Sequence, residues 1–186
     1  MGLHDRERCR MLFKGRFHIH LPVVLAALVA LNVASHAAIR TVEGKVTRVD
    51  DGDLVTIVAR SGETLQVRLY GIDAPEIRHD TEPGQPYGET AKQVLTGMIL
   101  GKTVRLEIWD FDLNRRTLGI VYLDGRNINK EMLLMGMAWA SHLHISTPHT
   151  HEFFQAEQRA KETKRGLWKD DHPVPPWKFR AERPRQ

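Results

Sequence analysis

Residues 49–76 gather Asp51, Asp53, Arg68, Asp73 and Glu76 around one β-hairpin signal, and this grouping limits the possible fold more than any other segment. Asp51-Gly52-Asp53 leads into an apolar run at 54–59. Arg60-Ser61-Gly62-Glu63 supplies turn chemistry, and residues 64–70 return before Gly71-Ile72-Asp73-Ala74-Pro75-Glu76. With Ala59 set against Thr64, antiparallel pairing places Asp53 opposite Tyr70 and makes Arg68 its diagonal neighbour. The other face then carries Leu54, Val58, Leu65, Val67 and Leu69 as core. Asp73 and Glu76 follow at the same open edge as Asp53. Carboxylates crowded in this way repel one another unless a cation neutralises them, and oxygen donors without cysteine favour a hard ion such as Ca2+ over zinc. A guanidinium beside a carboxylate-bound cation can hold a phosphodiester and stabilise charge developing on its oxygens. Asp-Gly-Asp alone is a common turn, and Arg68 alone an ordinary ion-pair partner. The joint spacing is what points to a metal and phosphate site.

Asp51-Gly52-Asp53, Val67-Arg68-Leu69, Ile72-Asp73-Ala74-Pro75-Glu76, Tyr87-Gly88-Glu89 and Arg116-Thr117-Leu118-Gly119 occur in an order that resembles the staphylococcal nuclease-like (thermonuclease) family. The similarity spans about residues 42–168. It implies a Ca2+-dependent nuclease on an OB-type barrel. By the same resemblance, Asp53 and Asp73 would ligate calcium together with the backbone carbonyl of Ala74, and Asp51 would stand just outside the direct ligands. Glu76 matches the residue usually taken as general base or water-orienting group, and Arg68 and Arg116 match the two phosphate-binding arginines. The chain departs from the family at Asp112-Leu113-Asn114-Arg115-Arg116, where a Tyr-Gly pair is replaced by Asn114-Arg115. A different turn is therefore expected, and a one-residue slip would put the second arginine at Arg115. Two tyrosines that flank the nucleotide in the best-known member fall at His142 and His144, so these histidines are the candidate nucleic-acid contacts and base stacking is altered.

The remaining periodicities fit the same architecture. Residues 42–49, 54–59, 64–70, 103–109 and 118–123 read as strands, and 88–100, 129–135 and 147–164 as helices. Thr147-Pro148 supplies an N-cap and first-turn pair. The expected fold is α+β, mainly β: a five-stranded Greek-key barrel of OB type with about three covering helices, whose open face and loops receive an oligonucleotide. With 186 residues, 41% hydrophobic, one core suffices and one domain is expected over 38–168.

The first 37 residues stand apart. A basic lead of Arg6, Arg8, Arg10, Lys14 and Arg16 precedes an apolar stretch at 21–34 and the small-residue site Ser35-His36-Ala37. This is the pattern of a signal peptide cleaved after Ala37, with an uncleaved membrane anchor as the alternative. Residues 38–186 retain 22 Lys and Arg against 21 Asp and Glu, a formal charge of +1. Nucleic-acid affinity must then depend on where charges lie rather than on their sum. Cys9, the one cysteine, falls within the leader. His142, His144, His149 and His151 lack the regular cysteine or carboxylate partners of a zinc site. The tail at 169–186 is proline-rich and basic, and its prolines argue against a regular helix, leaving it extended against the domain through Trp177 or disordered.

These features together describe an exported metal-dependent phosphodiesterase, an endonuclease that acts as a monomer on DNA and RNA with low sequence specificity. Single-stranded or frayed regions would be its substrates, and no stable membrane association would remain after cleavage of the leader. A non-catalytic OB-type nucleic-acid-binding protein of the cell envelope is the alternative. Such a protein would not need every acidic and arginine position that is present here.

Overall fold

The computed structural model describes residues 40–78, 83–141 and 149–182. The leader, His142, His144 and Thr147-Pro148 lie outside the described residues. Strand β1 (Arg40–Asp51) has twelve residues, enough to serve two neighbours. Its first half pairs antiparallel with β5 (Thr103–Phe111), and its second half with β2 (Leu54–Ala59). Gly44 pairs with both Ala59 and Val104. A Cβ there would lie 2.6 Å from Ile57 Cγ2 and 2.6 Å from the Val58 carbonyl oxygen, so only glycine permits the double approach. Register shifts between Val46 and Arg48 and between Val49 and Asp51 bend the strand around the core.

Strand β3 (Thr64–Leu69) pairs with β2, and β6 (Thr117–Leu123) pairs antiparallel with β5. Three parallel pairs then close the circle: Val67 with Thr117, Arg68 with Leu118, and Leu69 with Gly119. The closed order β1-β2-β3-β6-β5 is the expected five-stranded OB-type α+β barrel. A short β7 (Arg126–Asn127) extends β6, while β4 (Ile72–Asp73) pairs with β8 (Trp139–Ala140) as a separate two-stranded sheet.

Helix α1 (Gly88–Ile99) buries Ala91, Leu95 and Ile99, one stripe at four-residue spacing. Helix α2 (Ile128–Leu134) starts at Asn127, whose side chain caps Lys130 N–H, and buries Ile128, Met132 and Leu133. Helix α3 (His149–Glu162) buries Phe153, Ala156 and Ala160. These faces pack with Val46, Val55, Ile57, Val67, Leu69, Leu106 and Ile120 around the barrel. A 3-10 turn (Gly166–Lys169) and helix α4 (Pro176–Ala181) follow.

Two sequence expectations need correction. The hairpin turn takes three residues, not four: Ala59 N–H bonds to the Glu63 carbonyl at 2.8 Å, and Gly62 adopts φ 88. Val58 therefore faces Thr64, and Asp53 lies opposite Leu69, whose N–H it accepts at 2.8 Å, rather than Tyr70. A one-residue slip exchanges faces. Val55, Ile57 and Ala59 are the buried apolar residues of β2, while Leu54 and Val58 are half-buried on the outer face with Arg68. The tail is the second correction. Its prolines do not prevent a helix, because Pro176 occupies the first turn of α4, where a missing N–H costs nothing.

Asn129, on α2 and fully buried, fastens the barrel seam. Its Oδ1 accepts from Val121 N–H at 3.1 Å, and its Nδ2 donates to the carbonyls of Tyr70 at 2.9 Å and Gly119 at 3.1 Å. Asn129→Ala leaves buried backbone groups of two barrel strands without these bonds. It should lower unfolding free energy by about 2–4 kcal/mol, read from the denaturant midpoint. A loss below about 1 kcal/mol would mean that water or local relaxation replaces the amide.

Candidate active site

Arg68 points from the outer face of β3, one residue before the strand ends. Its Nη2 donates to Asp53 Oδ2 at 3.2 Å and to Asp73 Oδ1 at 2.9 Å. Asp53 occupies the tight turn between β1 and β2, and its Oδ2 also accepts the Ala74 N–H at 3.2 Å. Gly52 makes that turn possible, since a Cβ would stand 2.7 Å from Ala74 Cβ and 2.8 Å from Ala91 Cβ. Asp73 is held by β4, opposite Trp139 of β8. Two buried carboxylates from separate segments thus converge on one guanidinium nitrogen.

Desolvation dominates the charge balance here. Burial, aided by nearby Asp53, pushes the Asp51 carboxyl up to about 7, although Gly52 N–H donates to its Oδ1 at 2.7 Å. Burial raises Asp53 to about 6 against the pull of Arg68. Arg68 in turn is raised, by Asp53 first, so it stays a cation. The sequence placed Glu76 at the same edge, and it is there. Its N–H donates to Gln85 Oε1 at 3.0 Å, and its carbonyl accepts Gln85 N–H at 2.8 Å.

A second arginine in contact with the cluster comes from the tail and was not anticipated. Arg180 of α4 donates through Nη1 to Asp73 Oδ1 at 3.1 Å, through Nη2 to Asp73 Oδ2 at 2.7 Å, and through Nη1 to Glu76 Oε1 at 2.5 Å. The available signal was Pro175-Pro176, because a proline at the first helical position reads as a helix start as readily as a break.

The two candidates for the family's second arginine lie in different surroundings. Asp112 Oδ1 accepts the N–H groups of Asn114 and Arg116, both at 2.9 Å, and Asp112 Oδ2 accepts Arg116 Nε at 2.6 Å. Arg115 is exposed with φ 61. The position where the family pattern has glycine therefore keeps a glycine-like positive φ despite its side chain. Arg116 lines a cleft of about 850 Å³ together with Arg68, Asp73, Phe111, Trp177 and Arg180, and Arg115 does not. Of the candidate histidines, described His149 meets Trp109 edge-on at 5.1 Å and Glu152 Oε1 at 2.7 Å.

Among the described residues no group of three His, Cys, Asp or Glu side chains is arranged to hold a metal ion. The Asp53 and Asp73 pair fits a hard cation by its chemistry: both donors are carboxylate oxygen, both are buried, and both are drawn to a shared positive group. Such an ion would complete its shell with backbone oxygen or water. Ala74 itself donates its N–H to Asp53 Oδ2.

The raised Asp51 carboxyl gives a pH signature. In metal-free protein the unfolded chain releases this proton near its ordinary value of 3.8 and the folded chain near 7, so its folded-state penalty grows as pH rises between those limits. Asn keeps an oxygen for Gly52 N–H. Asp51→Asn should therefore melt higher than the parent by a margin that is absent below pH 4 and largest at pH 7 and above. A margin independent of pH would remove the assignment.

Sequence comparison gives the geometry its family. Residues 66–170 match the model for the staphylococcal nuclease homologue family. The chain is 37% identical over 166 residues to a protein named ParB from Escherichia coli, covering 84% of this chain and 89% of the relative. It is 35% identical over 138 residues to a Haemophilus influenzae protein named as an endonuclease, covering 74% and 72%. It is 32% identical over 167 residues to a micrococcal nuclease of Shigella flexneri, covering 85% and 90%. The segment that carries Arg68, Asp73, Glu76 and Arg116 lies wholly inside the matched region, and the chain belongs to the staphylococcal nuclease homologue family.

Proposed function

We propose that the protein is an exported, Ca2+-dependent endonuclease that hydrolyses phosphodiester bonds of DNA and RNA with low sequence specificity. The observation that carries this reading is the convergence of Asp53 and Asp73 on Arg68 Nη2, with Glu76 alongside, at a cleft that also contains Arg116. Relatives named endonuclease and micrococcal nuclease support the reaction class. Exposed Phe111, Leu113 and Trp177 in the lining of the cleft offer apolar surfaces to unpaired bases, which favours single-stranded or frayed substrate.

Asp53 and Asp73 would hold the cation, with the Ala74 carbonyl as the third protein ligand by family resemblance. When bound it supplies Lewis-acid charge at a phosphoryl oxygen. The remaining work falls to side chains. Glu76 orients the attacking water and accepts its proton as the water oxygen bonds to phosphorus. Arg68 and Arg116 donate to the non-bridging oxygens, where charge accumulates in the pentacoordinate state. The bond from phosphorus to the 5′-oxygen breaks and the departing oxygen takes a proton from solvent, leaving a 3′-phosphate and a 5′-hydroxyl. Asp51 stands behind Asp53 and adds negative charge that favours cation uptake. His142 and His144 remain candidate nucleic-acid contacts on sequence grounds.

Cleavage of linear and single-stranded DNA and RNA should require added divalent ion and cease with excess chelator. Undiminished activity of stripped protein in chelator would end the metal reading, and binding without cleavage under every ion would favour a non-catalytic nucleic-acid binder. Glu76→Gln should lower turnover by roughly 100-fold or more while retaining nucleic-acid binding.

The two arginines separate cleanly. Arg116→Ala should cripple cleavage. Arg115→Gly should leave it intact and raise stability by about 0.5–1 kcal/mol, because glycine takes a positive φ without a Cβ penalty. Loss of activity in Arg115→Gly would transfer the phosphate role to Arg115.

Export rests on the basic lead, apolar stretch and Ser35-His36-Ala37 site of the sequence. Protein recovered from the host envelope or medium should begin at or near Ala38 on N-terminal sequencing. Recovery only of intact chain in the membrane fraction would favour the anchor.

A further inference from the structure

We propose that Arg180 is a positioning residue of the nuclease site, delivered by the C-terminal helix to fix Asp73 and Glu76 relative to each other. The inference rests on the nuclease reading above. One planar group spans both carboxylates: Nη1 and Nη2 take the two oxygens of Asp73 at 3.1 and 2.7 Å, and Nη1 also meets Glu76 Oε1 at 2.5 Å. The bidentate fork sets orientation as well as distance, which a lysine cannot do. A flexible glutamate acting on water gains from being held before substrate arrives.

The tail reaches this loop by two further routes. Buried Gln85 bonds both the N–H and the carbonyl of Glu76, and its Nε2 donates to the Val174 carbonyl at 3.0 Å. Trp177 of α4 meets Trp139 edge-on at 5.8 Å, and Trp139 is the residue paired with Asp73. Trp139 is itself braced by Trp168 at 4.3 Å. Side chain, loop backbone and strand partner of the reacting groups are therefore all tied to residues 174–180.

A tethered cation could instead compete with the metal for Asp73. Charge and lone pairs favour positioning. With all four carboxyls ionised, Asp51, Asp53, Asp73 and Glu76 carry four negative charges against two positive on Arg68 and Arg180, so the charge of one divalent ion is still accommodated with Arg180 docked. Asp73 accepts three guanidinium bonds out of about four lone-pair sites, and Asp53 uses one oxygen for Arg68 and Ala74. Oxygen capacity thus remains on both carboxylates with Arg180 in place.

The test compares full-chain Arg180→Ala and Arg180→Lys with the parent, measuring kcat and KM on single-stranded DNA at saturating Ca2+, and Ca2+ affinity by calorimetry without nucleic acid. Arg180→Ala should lose about 10- to 100-fold in kcat with KM changed less than about threefold and Ca2+ affinity not weakened, and Arg180→Lys should recover part of the loss. Parental kcat combined with Ca2+ binding more than about tenfold tighter would overturn positioning in favour of a competing cation. If Arg180→Ala melts out, Arg180→Lys decides: reduced kcat at unchanged KM supports the proposal and parental kcat overturns it. A parent chain inert with every divalent ion would overturn the nuclease reading itself, an outcome distinct from an active parent with an active Arg180→Ala.

Discussion

The parallel seam between β3 and β6 is the constraint on which the rest of the molecule depends. Three residue pairs convert an open sheet into a barrel, and without them both strands would present unpaired edges. The seam also brings residues distant in sequence together, setting Arg68 against Leu118 and so bringing the hairpin that ends at Arg116 alongside. Asn129 reinforces it by bonding to residues of both sides at once, which is why an amide rather than an apolar side chain is buried there. Closure and site assembly are therefore a single event: the pairs that seal the core also bring the phosphate-binding candidates to one cleft.

At the mouth of the hairpin the barrel holds an electrostatic arrangement that is costly to bury. Burial penalises Asp51 and Asp53 as anions, and Arg68 offsets that cost only in part. Buried ion pairs seldom repay their desolvation, so a cluster of this kind is weak evidence of a stabilising role. It makes sense as a receptor for a further positive charge. Strongly shifted carboxyls in a cleft beside guanidinium groups mark a functional site rather than a structural brace.

Much of this was legible in the sequence because it rests on local chemistry. The bounds of β2 follow from Asp53 before the run and Arg60-Ser61-Gly62 after it, and helical period puts Ala91 and Leu95 on one buried face, although Ile99 rather than Val94 or Met98 completes it. The meeting of Asp53, Arg68, Asp73 and Glu76 was readable because all four flank one hairpin. What failed did so for identifiable reasons. Whether a turn takes three residues or four depends on which residue goes left-handed, and Gly62 permits a choice that composition does not settle. Arg115 adopts φ 61 although its residue type argues against it, because Asp112 collects the N–H groups of Asn114 and Arg116 and fixes the backbone between them. Local propensity yielded to that network.

The tail exposes a different limit. Its helix has only six residues, too short to be stable through its own hydrogen bonds. It persists because Trp177 packs on Trp139, Gln85 holds Val174, and Arg180 finds two carboxylates more than a hundred residues earlier in the chain. No periodicity within 169–186 encodes those partners. A short helix that draws its stability from a charge cluster is stable only while that cluster is assembled, and the cluster is less repulsive while the helix is docked. The order of the tail and the geometry of Asp73 and Glu76 are thus coupled in both directions, so a change at either end should be felt at the other.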